Sequence, residues 1–320
     1  MTDIDPTTLP ATQRLLEAIV ELWPDHLRYL TQSFAERPPE VLETTERTAT
    51  LVAQIAQDNL LEYCEEYQFK CRLVQMEELY FRRTGHYRLS TFAEAQKEVY
   101  DNPAFMTRYL NGILMTHIFW YNHATAIHTY RTLFLEGNPP GYRHLEVGPG
   151  HGLLLYFAAS DPACASAEAW DISDASLAAT AACMTRFGMA DKVLLRRRNL
   201  FEERENDPEI YDSIVISEVL EHLEHPATAL RLLARRLSPA GRLFVHVPVN
   251  GPSPDHIYLL RTPEEAVELV RSAGLEIEVL RIIPGTGYDE ARARREGLML
   301  SCVLVATRGI APEPRIEGQN

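Results

Sequence analysis

The sequence predicts a doubly wound α/β fold, a mainly parallel seven-stranded sheet, behind an all-helical N-terminal cap. Three observations predict it. Up to about residue 134 the apolar residues recur at helical spacing, glycine is scarce and strand-like runs are absent. Beyond Gly141 short apolar runs alternate with helical stretches, the pattern of right-handed crossovers in a parallel sheet. A glycine-rich turn, Gly148-Pro149-Gly150-His151-Gly152, follows the first such run and opens a helix.

In the helical part, Leu15, Ile19 and Leu22, then Leu27 and Leu30, make one apolar face interrupted by Pro24, and Pro38-Pro39 breaks the chain. A long helix is expected over about Val41–Tyr67 and another over Cys71–Arg83. Thr91 with Glu94 three residues on reads as a capping box. Asn102-Pro103 opens a segment expected to be helical to Leu135, and the run from Gly137 to Gly141 ends it.

Strands are expected at Arg143–Val147, Ala167–Asp171, Val193–Arg197, Ser213–Ser217, Arg242–Val247, Glu276–Ile283 and Met299–Thr307. Helices fall between them at about Gly152–Ala159, Ala175–Phe187, Ala227–Leu237 and Pro263–Ala273. No helix shows between the last two strands, so an antiparallel final strand is expected. The division that follows is residues 1–140 as a helical cap, suited to substrate contact and dimerisation, 141–308 as the α/β part, and 309–320 as a mobile tail.

The chain of 320 residues is 46% hydrophobic and carries a net charge of −14. That sign repels phosphate backbones and anionic lipid, which argues against nucleic-acid and membrane-surface partners. Five scattered cysteines without a C-x-x-C read as reduced thiols, and the acidic, polar start lacks the pattern of a signal peptide, so a soluble, cytoplasmic protein is expected.

The sharpest signal is Glu146-Val147-Gly148-Pro149-Gly150-His151-Gly152. Glycines at 148, 150 and 152 let the chain turn tightly and bring backbone against a ligand. A dinucleotide fingerprint would place its third glycine where Leu153 stands; here the spacing is G-x-G-x-G with an acid two residues before the first glycine. Asp171 closes the next strand about twenty residues on, where a carboxylate accepts ribose hydroxyls. From Tyr142 to about Arg308 the chain resembles the class I S-adenosylmethionine-dependent methyltransferases. The resemblance implies that Gly148, Gly150 and Gly152 pack beneath the cofactor, that Glu146 holds its amino group, that Asp171 takes the ribose hydroxyls, and that Ile172 also contacts the cofactor. It implies Asn199 and Leu200 at the adenine, although the family usually has Asp where Asn199 stands. Ser217 and Glu218 would border the cofactor at the end of the fourth strand.

The run Glu218-Val219-Leu220-Glu221-His222 is similar to the E-x-x-E-H loop of the ubiquinone-biosynthesis O-methyltransferases and, less closely, of the small-RNA 2′-O-methyltransferases. In those enzymes the loop is associated with a divalent cation. On one helical turn Glu218 and Glu221 would face the same way beside His222 and hold Mg²⁺, Mn²⁺ or Fe²⁺. Without a metal, His222 is the expected general base, since its ordinary pKa suits neutral pH. Glu221 and His256, in the loop after the fifth strand, complete the catalytic candidates, while His246 reads as a structural residue.

The helix before the first strand is rich in aromatic residues and histidine, and Tyr109, His117, Trp120 and Tyr121 are candidates to cover the methionine end of the cofactor; Phe119 and Tyr130 read as core. Arg196-Arg197-Arg198 reads as a solvated strand end, and Cys64 and Cys71 as packing. The expected function is methyl transfer to a small organic acceptor in specialised biosynthesis, oxygen favoured over nitrogen or carbon. The alternatives are an acceptor tethered to a carrier protein docked on the cap, and a non-catalytic cofactor-binding partner. The intact E-x-x-E-H run speaks against the second.

Overall fold

The computed structural model describes residues 8–202 and 209–309. Helices α1 (Pro10–Leu22) and α2 (Leu27–Ala35) are separated by a single turn at Pro24–His26, where proline sets the first position of each new turn. Helix α3 (Pro39–Ala56) ends sooner than its periodicity predicts, and α4 (Leu60–Thr84) then runs unbroken through the junction expected near residue 70. The break lies at Gln57–Asn59, where Gln57 takes a left-handed backbone (φ 45°) with no glycine to announce it. The short α5 (Phe92–Ala95) carries the capping box read from Thr91 and Glu94. Helix α6 (Pro103–Phe119) is not continuous to Leu135: Trp120 is extended, and α7 (Tyr121–Thr129) restarts at once.

The sheet comprises β1 (Tyr142–Val147), β2 (Cys164–Asp171), β3 (Val193–Arg197), β4 (Tyr211–Ser217), β5 (Leu237–Val249), β6 (Leu275–Pro284) and β7 (Leu300–Arg308). Helices α8 (Leu153–Ser160), α9 (Asp174–Arg186), α10 (Pro226–Arg236) and α11 (Pro263–Arg271) connect its strands, and the order is β3-β2-β1-β4-β5-β7-β6. The first five strands are parallel, and β7 is antiparallel to both neighbours, as expected. A helix does lie between β6 and β7: α12 (Glu290–Glu296), seven residues rich in charge and poor in apolar periodicity. The tail, residues 309–320, lies outside the described residues except for Gly309.

Side chains alternate across the sheet and build two cores. Val215, Phe244, Val303 and Val305 face the N-terminal helices and pack with Leu15, Ile19, Tyr67, Leu114 and Phe119 in one cluster. Ile214, Ile216, Val245 and Leu304 face the other way, onto α10 and α11. The order in which strands are added reverses between the parallel neighbours β1 and β4, which pair Glu146 with Val215 and Val147 with Ile216. In a doubly wound sheet the ligand crevice opens at that switch point, beyond the carboxyl ends of the strands.

Candidate active site

The crevice is a cavity of about 650 Å³. Its walls come from the turn after β1, the ends of β2 and β4, the loop after β5, and α4 and α6 of the helical part. The glycine-rich turn shapes one end. Gly148 and Gly152 have left-handed backbones (φ 72° and 77°), and a Cβ on Gly148 would meet Val219 at 2.5 Å, so a side chain is excluded on both counts. At Gly150, φ 56°, nothing lies within 4 Å of the place a Cβ would take. Glu146 is buried at the end of β1 with Oε2 lacking any partner, and burial holds its carboxyl well above the usual range.

Asp171 ends β2, accepting from the Ser173 N–H at 2.8 Å and the Ser176 hydroxyl at 2.5 Å. Ile172, Asn199 and Leu200 line the cavity beside it, with Asn199 and Ile172 exposed. The amide oxygen of Asn199 accepts from the Phe201 N–H at 3.0 Å, so one of its lone pairs serves its own loop.

The loop after β4 departs from its expected geometry. Glu218 has φ 53°, and only Leu220–His222 form a turn of 3₁₀ helix, so Glu218 and Glu221 do not share a helical face. Glu218 turns towards His246, with Oε1 at 3.1 Å from Nε2, while Ser217 Oγ lies 3.3 Å from His246 Nδ1. His246 is buried, and among the described residues neither its Nε2 nor Glu218 Oε1 has a hydrogen-bond partner. Among the described residues Glu218, Glu221 and His222 do not come together as expected; the groups whose candidate atoms lie within 4.8 Å of one another are Glu221, His222 and His256.

This trio converges for a reason visible in its hydrogen bonds. His256 Nδ1 lies 2.6 Å from the Gly251 carbonyl, and His222 Nδ1 lies 3.0 Å from the Asp255 carbonyl. A carbonyl only accepts, so both imidazoles carry a proton on Nδ1 and turn Nε2 towards Glu221. Each Nε2 is 3.8 Å from Glu221 Oε1. Glu221 is wholly buried, neither carboxylate oxygen has a hydrogen-bond partner, and burial pushes its carboxyl far up. Burial also pushes His256 down to about 3, leaving it neutral.

Four residues that the sequence reading passed over complete the site: Lys70, Tyr100, Ser253 and Asp255. The Tyr109 hydroxyl donates to Asp255 at 2.6 Å, and Tyr100 donates to the other Asp255 oxygen at 3.3 Å. With His222, His256 and Lys70 nearby, the Asp255 carboxyl is lowered to about 2 even though burial works the other way. Lys70 had a signal in the sequence, a charge on the same α4 face as the buried Cys64, Tyr67 and Cys71. Tyr109, His117 and Trp120 do line the cavity; Tyr121 is not among its lining residues, and Phe119 and Tyr130 are core. Of the arginine triplet only Arg197 is solvated as expected: Arg198 is buried over the Trp170 ring at 3.9 Å, and Arg196 pairs with Glu168 and Glu209.

A family model described as a methyltransferase domain matches residues 119–282, half of the chain. The chain belongs to that family. The solved mitomycin 7-O-methyltransferase MmcR is similar over 82% of this chain and 75% of its own, at 16% identity and TM-score 0.51, a likeness of fold. An O-methyltransferase from neocarzinostatin biosynthesis, NcsB1, solved with S-adenosyl-L-homocysteine and 1,4-dihydroxy-2-naphthoic acid, is 16% identical over 74% of this chain and 69% of its own, with TM-score 0.48. A curated relative, syc1184_c of Synechococcus sp. (strain ATCC 27144 / PCC 6301 / SAUG 1402/1), is 33% identical over 105 residues, which are 33% of this chain and 25% of that protein. The match therefore spans a quarter of that relative's length. The residues of this methyltransferase-family chain suit S-adenosylmethionine: the unpartnered Glu146 carboxyl matches an ammonium, and the space over Gly150 admits a ligand against bare backbone.

Proposed function

We propose that the protein transfers a methyl group from S-adenosylmethionine to a hydroxyl of a small organic acceptor held in the cavity. One observation carries this reading: a single cavity is lined both by the glycine-rich turn and by the Glu221, His222 and His256 cluster. When bound, the cofactor supplies a methyl group already activated by its sulfonium. The protein's part is alignment, exclusion of water and handling of one proton. Glu146 would hold the cofactor's amino group and Asp171 its ribose, with Ile172, Asn199 and Leu200 at the adenine and Ser217 beside the cofactor. The Nε2 lone pair of His222 would take the acceptor's proton, and the Asp255 carboxylate, 3.5 Å from His222 Nδ1, would stabilise the imidazolium.

Calorimetric titration with S-adenosylhomocysteine tests the reading. Binding is expected, and Glu146→Gln and Asp171→Ala are each expected to weaken it about 10-fold or more, the loss of a charged hydrogen bond. Absence of binding to folded protein refutes the cofactor, and unchanged affinity in either variant refutes that residue's assignment.

A second reading concerns a divalent cation at Glu221, His222 and His256. Two imidazoles tied by Nδ1 to carbonyls and facing an unpartnered carboxyl are the usual outer arrangement of a metal site, and the donor set suits Mn²⁺ or Fe²⁺ better than Mg²⁺. His222 would then be a ligand, and the cation would acidify a coordinated hydroxyl. Mn²⁺ binding followed by electron paramagnetic resonance decides it: uptake lost in Glu221→Gln is expected, and no uptake at millimolar Mn²⁺ removes the metal.

A further inference from the structure

We propose that Lys70 holds the acceptor's reacting oxygen as an anion, and hence that the acceptor is an acidic hydroxyl, a phenol or enol, rather than a simple alcohol. This rests on the methyl-transfer reading above and names its substrate class.

Lys70 sits midway along α4, is 6% exposed, and lines the cavity. Its Nζ donates to Tyr109 Oη and to Ser253 Oγ, both at 2.8 Å. The protons can be counted. The Tyr109 hydroxyl spends its own proton on Asp255, so it accepts from Lys70; Ser253 accepts from Lys70 and donates its proton to Tyr109 at 2.7 Å. Two of the three ammonium N–H bonds are thereby used, and the third has no acceptor among the described residues.

A structural ion pair would set Nζ directly against a carboxylate. Here two hydroxyls stand between Lys70 and Asp255, and the Tyr109 ring lies beneath Nζ at 4.1 Å from its centroid. These contacts orient the ammonium without neutralising it, which leaves room for one further negative group. Among the described residues none of the other acids on the cavity wall, Glu78, Glu146, Asp171, Glu218 or Glu221, forms an ion pair with Nζ. Burial lowers Lys70 to about 8, against the opposing pull of Asp255. An anionic oxygen against the third N–H would reverse that loss. Binding as the anion breaks the acceptor's O–H bond. The proton passes to His222 Nε2, the base named above, when Nζ is already an ammonium, or forms the third N–H bond when Nζ arrives as the amine.

The test uses 4-nitrophenol, whose phenolate absorbs in the visible, with protein saturated by S-adenosylhomocysteine at a pH where the free probe is mostly neutral. Wild type is expected to bind it as the phenolate. Lys70→Met is expected to bind it at least ten-fold more weakly and as the neutral phenol, with S-adenosylhomocysteine affinity within a few-fold of wild type as the check on folding. Wild-type protein that binds S-adenosylhomocysteine but takes up the probe as neutral phenol, or not at all, overturns the proposal, and so does a phenolate spectrum that survives Lys70→Met. If the variant fails to fold, the wild-type spectrum decides alone. Failure of S-adenosylhomocysteine to bind is a separate result that strikes the cofactor reading instead.

Discussion

Glu146 and Glu221 titrate against the common trend, in which native carboxylates sit below their ordinary value and stability is lost in acid. Burial without a partner holds these two well above 4.5. As pH climbs past that value the unfolded chain sheds protons that the folded chain keeps, so folding weakens by about 1.4 kcal/mol per pH unit for each such proton. The buried histidines work from the other side. His117 and His151 are pushed down to about 4, and His144 and His246 to about 3, from 6.5. Below pH 6.5 the unfolded chain takes up protons that these folded imidazoles refuse, so stability falls in acid. Ligand-free protein should therefore be most stable near the ordinary histidine value of 6.5. With Glu146 at the cofactor's ammonium, as proposed, saturating S-adenosylhomocysteine should flatten the upper limb, and so should Glu146→Gln. Thermal melts from pH 5 to 9 check this; an upper limb indifferent to both changes would remove the unpartnered carboxyl from the explanation.

Helices α4 and α6 set Lys70 and Tyr109 side by side, and Gly112 permits it. A Cβ there would come within 2.6 Å of the Glu66 carbonyl oxygen and 2.8 Å of Lys70 Cβ. Gly112→Ala should destabilise the protein by about 1–2 kcal/mol, because overpacking against backbone outweighs the roughly 1 kcal/mol that alanine gains in a helix. It should also weaken 4-nitrophenol binding more than S-adenosylhomocysteine binding; denaturant melts and the two titrations measure both. The elements themselves were unequally legible. The strands showed because a two-faced buried sheet needs apolar runs, and Gly148 to Gly152 showed because left-handed turns need glycine. The breaks at Gln57 and Trp120 were hidden because tertiary packing, not a proline or glycine, makes them. Glu218 misled for the same reason: its positive φ takes it off the helical turn that spacing alone suggests. Glu221, His222 and His256 come together only through the loop after β5, whose Ile257 and Tyr258 N–H groups both donate to the Glu221 carbonyl, a long-range tie with no local signature.

At the scale of the molecule, the first ~140 residues do more than cover a site. Phe157, Phe244, Val303 and Val305 of the sheet half share one apolar cluster with Leu15, Tyr67, Leu114 and Phe119 of the helical half. A cap resting on a finished domain would leave a polar seam between the two; here the seam is core. We therefore expect residues 141–309 expressed alone to expose a broad apolar face and to aggregate or bind hydrophobic dye. The intact chain should unfold in one transition that moves upward as a unit with S-adenosylhomocysteine, by about 2.7 kcal/mol of stabilisation at a hundredfold excess over its dissociation constant. The cavity draws its walls from both halves, so a ligand bound there stabilises neither without the other. Calorimetric scans of the full chain and gel filtration of the fragment measure this. A soluble, monomeric fragment that binds S-adenosylhomocysteine as tightly as the whole chain would show that the helices serve the acceptor alone, and the shared core would then owe its place to something other than the stability of the sheet.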